Sequence, residues 1–464
     1  MLSTAPLLEG RDGGGAWERW RMSEAVEEAK HQVVFSVPMI LTNVAYYCIP
    51  LVSVMFAGHL GNLELAGSNL ANSWATVTGF TLVIGLSGAL ETLCGQAYGA
   101  KLYRTMGIYL QASMITVIAV SCVLAVVWWF SESILIALRQ EPAVAHAAAV
   151  YMRPLIPALF AYGLLQCLLR FLQTQSAVAP LVVCSVGSLA LHVLITYVLV
   201  HPAGMGFVGA PLAAAVSLWI SILMLASYVK YSKRFSETWQ GFSTEAFEHV
   251  LPSMRLAIPS AVMVCLEYWA FELLVLLAGL MPHSELSTSL IAICVNTEAV
   301  SFNVTYGFSA AVSTRVANEL GAGNVDKAKN AVRVTLKLSV ILALTIVVFF
   351  VCLHDPLLSI SILLDSAQGI LSGVARGCGW QHLAAWTNLA AFYLIGMPIA
   401  LLLGFTLKFY DKDNRHLHWT SHAGTLDGLI CGLFCQACTL LIITLRTNWS
   451  TIDLSVHKEQ PLLV

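Results

Sequence analysis

Charge is scarce in this chain. Of 464 residues only 24 are Lys or Arg and 26 are Asp or Glu, 11% in all, against about 25% in a water-soluble domain. With 58% hydrophobic residues, mean hydropathy +0.77 and net charge -2, lipid must be the solvent for most of the chain, and nucleic acid is excluded as a natural partner. No GxxxxGK[ST] phosphate loop occurs and the polar connections are short, so no nucleotide drives the protein directly. Paired aspartates, an HExxH motif and a Ser–His pair at membrane depth are also missing, which weighs against a lipid-modifying membrane enzyme. The polar segment 1–32 lacks the apolar core of a signal peptide, so the first apolar run reads as a retained helix. The 12 cysteines fall almost wholly in apolar runs and read as small buried hydrophobes. Cys431, Cys435 and Cys438 share a helix face, yet no His or carboxylate completes a metal site there. No cofactor is expected.

What is present is a succession of apolar stretches. A hydrocarbon core about 30 Å thick needs about 20 apolar residues per helix. That rule predicts spans near 33–56, 68–94, 107–130, 147–173, 180–200 and 208–230. After a polar connection come spans near 256–280, 287–314, 331–353, 357–377, 383–409 and 425–446. Lys and Arg gather on one side, at Lys101, Arg104, Lys230, Lys233, Arg234, Arg255, Lys327, Lys329 and Arg333, which predicts cytosolic termini.

The chain also repeats itself. Gly85-Leu-Ser-Gly-Ala89 and Gly99-Ala100 recur as Gly307-Phe-Ser-Ala-Ala311 and Gly321-Ala322 at an offset of 222; Pro38 recurs as Pro259 at 221. Arg170 and Gln175 find counterparts in Arg376 and Gln381 at only 206. Six helices per half make the repeat parallel, with an axis along the membrane normal and a cavity between the halves. The second half is about 16 residues shorter between Gly321 and Arg376, around Cys352-Leu-His-Asp-Pro356.

Acids inside spans are costly and therefore functional candidates. The first half has Glu91; the second has Glu267, Glu272, Glu298 and Asp365, with no Lys or Arg at comparable depth. Glu267 lies about 16 Å into its span at 1.5 Å per residue, near the midplane. An acid held away from water and cations favours its neutral form, so a proton and a cation compete for one carboxylate. Glu267 and Glu272 point about 140° apart, so at most one faces a cavity. Tyr46, Tyr47, Trp74, Tyr268, Trp269 and Tyr306 offer faces for flat organic cations, although lipid packing is the commoner use of such rings. Asn43, Asn69, Asn72, Gln166, Asn296 and Asn388 are polar positions suited to a hydrated pocket or to bonds between helices.

Four long segments carry a resemblance: Ala89-Leu-Glu-Thr-Leu-Cys-Gly-Gln-Ala-Tyr-Gly-Ala100, Pro259-Ser-Ala-Val-Met-Val-Cys-Leu-Glu267, Ser313-Thr-Arg-Val-Ala-Asn-Glu-Leu-Gly-Ala-Gly323, and Asp365-Ser-Ala-Gln-Gly-Ile-Leu-Ser-Gly-Val-Ala-Arg-Gly-Cys-Gly-Trp-Gln381. They resemble the multidrug and toxic compound extrusion (MATE) family, and most closely its plant DETOXIFICATION branch. The resemblance implies twelve helices in two lobes and export of organic cations or secondary metabolites in exchange for protons. The family's proton-linked acids match Glu267 and Asp365. The chain departs from the family in its short connection before Asp365, in the His-rich stretch 411–427, and in Thr305, which stands where a proline is usual. The first two departures suggest altered splicing or gene prediction.

The expectation is an all-α polytopic membrane protein: a cytosolic segment 1–32, a first lobe 33–230, a linker 231–255, a second lobe 256–446 and a cytosolic tail 447–464. The expected activity is proton-coupled antiport by a monomer, with the proton gradient as energy source, small organic cations or metabolites as partners besides membrane lipid, and no nucleic acid or nucleotide. Glu267 and Asp365 exchange protons, and Glu272, Glu298, Asn296 and Tyr306 shape the pocket. The plasma membrane or the vacuolar membrane is the expected site. An inactive variant of such a transporter is the alternative.

Overall fold

The computed structural model describes residues 13–279, 284–351, 356–403, 423–447 and Trp449. The short connection at 352–355, residues 411–422 of the His-rich stretch and the tail beyond Trp449 lie outside the described residues.

Among the described residues the chain is helical throughout and contains no strand. Lipid offers backbone N–H and C=O groups no partner, so a helix that bonds internally is the natural form of each apolar run. The first half comprises α1 (Gly13–Gly58), α2 (Asn62–Ala75), α3 (Thr81–Gly99), α4 (Tyr103–Trp129), the short α5 (Ser131–Ala137), α6 (Pro142–Thr174), α7 (Ala179–Val200) and α8 (Gly209–Tyr231). A π-helical turn, Thr76–Phe80, runs α2 into α3 as one span. The second half follows with α9 (Ala246–Gly279), α10 (Ser284–Gly321), α11 (Val325–Val351), α12 (Pro356–Cys378), α13 (Gln381–Asn388), α14 (Met397–Leu401) and α15 (Ala423–Arg446).

Nine helical stretches among the described residues are long and apolar enough to cross a membrane. The other three expected spans fall on α10, α11 and α12, helices of 38, 27 and 23 residues. Val44, Met55, Val123, Val183 and Leu194 in the first half, and Val340, Ile341, Leu344 and Leu445 in the second, point outward uncovered. Lipid is the solvent that such faces fit. Two boundaries differ from the sequence reading. Helix α1 begins at Gly13, well inside the polar segment, because Ala, Glu, Arg, Met and Lys there are good helix formers. Likewise α15 begins at Ala423, within the stretch set apart as 411–427.

The buried side chains form three clusters. One draws almost wholly on the first half, joined by Ala257, Ala261, Ala310 and Ala311; the other two belong to the second half. Where the halves meet, the repeated glycines make the seam. A Cβ on Gly85 would strike the backbone of Ala261, and one on its repeat counterpart Gly307 would strike Ile40, which is the counterpart of Ala261. A Cβ on Gly99 would meet the carbonyl of Asn318; one on Gly321 would meet that of Gln96. Gln96 and Asn318 are themselves counterparts, and Gly95 faces its own counterpart Ala317. The seam is therefore close to twofold, and it runs from Gly85 to Gly99 of α3, a rise of about 21 Å. Only glycine lets two helix backbones approach this closely.

Candidate functional site

The acids of the second half form a network of neutral partners. The Gln368 amide donates to Glu267 and to Asp365, both at 2.9 Å, while its oxygen accepts from Ser372 at 3.2 Å and Gln436 at 2.9 Å. Gln436 also donates to Asn388 at 2.8 Å, and Asn388 donates to the Met263 carbonyl at 2.9 Å. A carbonyl can only accept, so this last bond sets the direction of every amide behind it. Asn388 must turn its oxygen to Gln436, Gln436 its nitrogen to Gln368, and Gln368 its nitrogen to the two acids. One backbone carbonyl on α9 thus aims a two-hydrogen donor at two carboxyl groups.

Asp365 is buried and lies within electrostatic reach of both Glu267 and Glu298. Glu298, also buried, accepts a 2.7 Å bond from Ser361. No Lys or Arg stands at ion-pairing distance from these three acids among the described residues. Glu272 turns the other way, accepting a 3.0 Å bond from Ser73 of the first half, as its angular offset from Glu267 requires. Asn296 lies on α10, and its side chain is outside the described residues. Thr305 leaves α10 unbroken: its hydroxyl reaches the Ser301 carbonyl at 3.3 Å and Ser366 at 3.0 Å.

Tyr306 contacts Phe302, but its ring faces the guanidinium groups of Arg170 at 5.3 Å and Arg376 at 5.7 Å. Those arginines also hold Glu91. Arg170 Nη1 lies 2.8 Å from Glu91 Oε1, and Arg376 Nε lies 3.0 Å from Oε2. Ser313 donates to Oε2 as well, at 2.6 Å. The partners come from α6, α12 and α10, distances in sequence that hydropathy cannot bridge.

More polar bonds cross the seam around this cluster. Thr92 donates to the Arg376 carbonyl and accepts from Gln381 at 2.7 Å. Its counterpart Thr314 accepts from Gln173 at 3.1 Å, and Asn318 donates to the Thr174 carbonyl at 3.1 Å. Beyond them, at the Lys101 end, a cavity of about 350 Å³ is lined from both halves by Phe35, Tyr98, Thr314, Arg315 and Asn318 among others. Glu267, Glu298 and Asp365 do not line it.

Repeated halves meeting on a near-twofold seam, lipid-facing outer surfaces and buried acids beside neutral donors define a membrane transporter rather than an enzyme. Comparison with known proteins narrows the class. The MatE family model matches residues 38–198 and 259–362, and the chain belongs to that family of transporters. It is similar to Protein DETOXIFICATION 18 of Arabidopsis thaliana, 54% identical over 447 residues covering 92% of this chain and 93% of that one. Protein DETOXIFICATION 16 of the same plant is 44% identical, covering 92% and 90%. The crystal structure of the eukaryotic MATE transporter AtDTX14 superposes with a TM-score of 0.87 at 36% identity, covering 95% of this chain and all of that one.

Proposed function

We propose that this transporter exports small organic cations, xenobiotics or secondary metabolites in exchange for protons. The observation that carries the reading is the pair of carboxyl groups, Glu267 and Asp365, sharing one amide donor with no Lys or Arg at ion-pairing distance among the described residues, Arg376 acting on Glu267 only from farther off. An amide N–H accommodates a carboxylate or a carboxylic acid, so proton uptake leaves the donor frame in place. A cationic substrate offers such acids the charge that the protein withholds. Glu298, bonded to a hydroxyl, and Glu272, reaching the first half, extend the acidic surface. Tyr306 is assigned here to the arginine cluster instead of the substrate pocket. The protein works as a monomer without cofactor or nucleotide, driven by the proton gradient. The Lys and Arg distribution supports cytosolic termini, in the plasma membrane or the vacuolar membrane.

The test uses the full chain in liposomes with an imposed pH gradient and ethidium as the cationic probe. Glu267→Gln and Asp365→Asn are expected to lower gradient-driven movement at least about tenfold; unchanged movement in both overturns proton coupling through these acids. If the unsubstituted chain moves nothing, the short connection after α11 marks an inactive variant instead.

A further inference from the structure

Glu91 occupies a singular position in the seam. Its repeat counterpart is Ser313, and the two side chains bond directly, so the carboxylate lies beside the near-twofold axis. The two arginines that flank it, Arg170 and Arg376, are counterparts as well. One acid therefore serves two equivalent cations, one from each half.

We propose that Glu91, Arg376 and Ser313 form an ionic clasp that holds the halves closed at the Lys101 end and opens during each transport cycle. Arg170 is the positioning residue that keeps Glu91 paired when the clasp is open. The neighbouring layers of the seam are small: Gly95 on Ala317, Gly99 and Gly321 on opposing backbone, Gly88 on Ser260, Gly85 on Ala261. Such surfaces fit closely but hold no charge. Besides the part-exposed Glu28–Arg315 pair, the Glu91–Arg376 pair is the buried ionic contact between the halves in this stretch, and its separation has to be provided for.

The arrangement provides for it. Glu91 and Arg170 both belong to the first half, on α3 and α6, so parting the halves leaves them together as a neutral pair. Arg376 departs with Ser309, which accepts from its Nη2 at 2.8 Å, and with the ring of Tyr306. Neither state strands a buried carboxylate without a cation. A single arginine on the second half would close the seam equally well but would leave Glu91 bare on opening. This rests on alternate closure of two halves and is independent of which ion drives transport.

The test compares the two arginines, which both pair with Glu91 but stand on opposite sides of the seam. Amide hydrogen exchange is measured by mass spectrometry on the full-length protein in lipid nanodiscs. Arg376→Gln removes the crossing ion pair and is expected to speed exchange at 95–103 and 318–325 at least about tenfold. Arg170→Gln leaves Glu91 and Arg376 paired and loses, across the seam, the contact with Tyr306 and the bond that steadies Gln173, neither of them an ion pair, so exchange there should stay within about threefold of the unsubstituted protein. Glu91→Gln should follow Arg376→Gln. Exchange at 131–142, at the opposite end, should not change in any of them. Equal effects of the two arginine substitutions would overturn the clasp, as would no effect of Arg376→Gln, or faster exchange at both ends.

Discussion

The first half holds its deep carboxylate, Glu91, between two arginines, whereas the second half bonds Glu267, Asp365 and Glu298 to amide and hydroxyl groups, with no ion pair among the described residues. The same chemical group thus has two uses, and its partners decide between them. A carboxylate flanked by guanidinium groups joins helices as a fixed ion. One that meets only neutral donors keeps no charge partner of its own and is free to meet a proton or a cationic guest. The seam that separates these two environments is nearly symmetric, while the acids on either side of it are not. Alternation needs the first property, and coupling to an ion needs the second.

Three substitutions sharpen this contrast. The largest effect is expected from the seam. Gly99→Ala and Gly321→Ala each drive a methyl group into opposing backbone, and each should destabilise the folded protein by about 3 kcal/mol or more. Melting midpoints in detergent check this, and a drop in only one of the two would refute the near-twofold description. A smaller effect belongs to the asymmetric site. Gln368→Leu deprives two acids of their shared donor and should lower ethidium movement about tenfold. Gln436→Leu disturbs only the amide that orients Gln368 and should lower movement about threefold. Equal losses would mean that the chain from Met263 does not aim the donor. The smallest effect returns to the seam: Thr314→Val, which loses one cross-half glutamine bond, should cost about 1 kcal/mol in the same melting experiment, and Thr92→Val, which also loses its bond to the Arg376 carbonyl, about 2 kcal/mol.

The helices were legible because apolar length is a local property, and among the described residues each expected span falls on helical structure. The glycine repeat was legible too, as an offset. That the repeated residues touch each other was not, because an offset says nothing about which face of a helix carries the axis. Glu91 stood out as an intramembrane acid, and Arg170 and Arg376 stood out as repeat counterparts. Nothing in the sequence joined them, since the contact spans 285 residues between Glu91 and Arg376. Gln368 and Gln436 gave no signal, for a neutral amide among apolar residues is visible neither as charge nor as a break in hydropathy. Helix α1 started early for a similar reason: polarity marked the segment before Gln32 as outside the membrane but did not oppose helix there. In that extension Glu28 meets Arg315 at 3.1 Å and Gln32 reaches the Ala331 carbonyl at 3.1 Å, both in the second half.

The meeting of Glu91 with Ser313 also bears on descent. In a dimer of two identical six-helix chains, a residue beside the twofold axis faces its own copy. Glutamate there would confront glutamate, and serine would confront serine; neither dimer could set one acid between two arginines. Once both copies lay on a single chain, the two positions were free to diverge. The unequal pair at the axis is therefore something that no symmetric dimer of identical chains can possess.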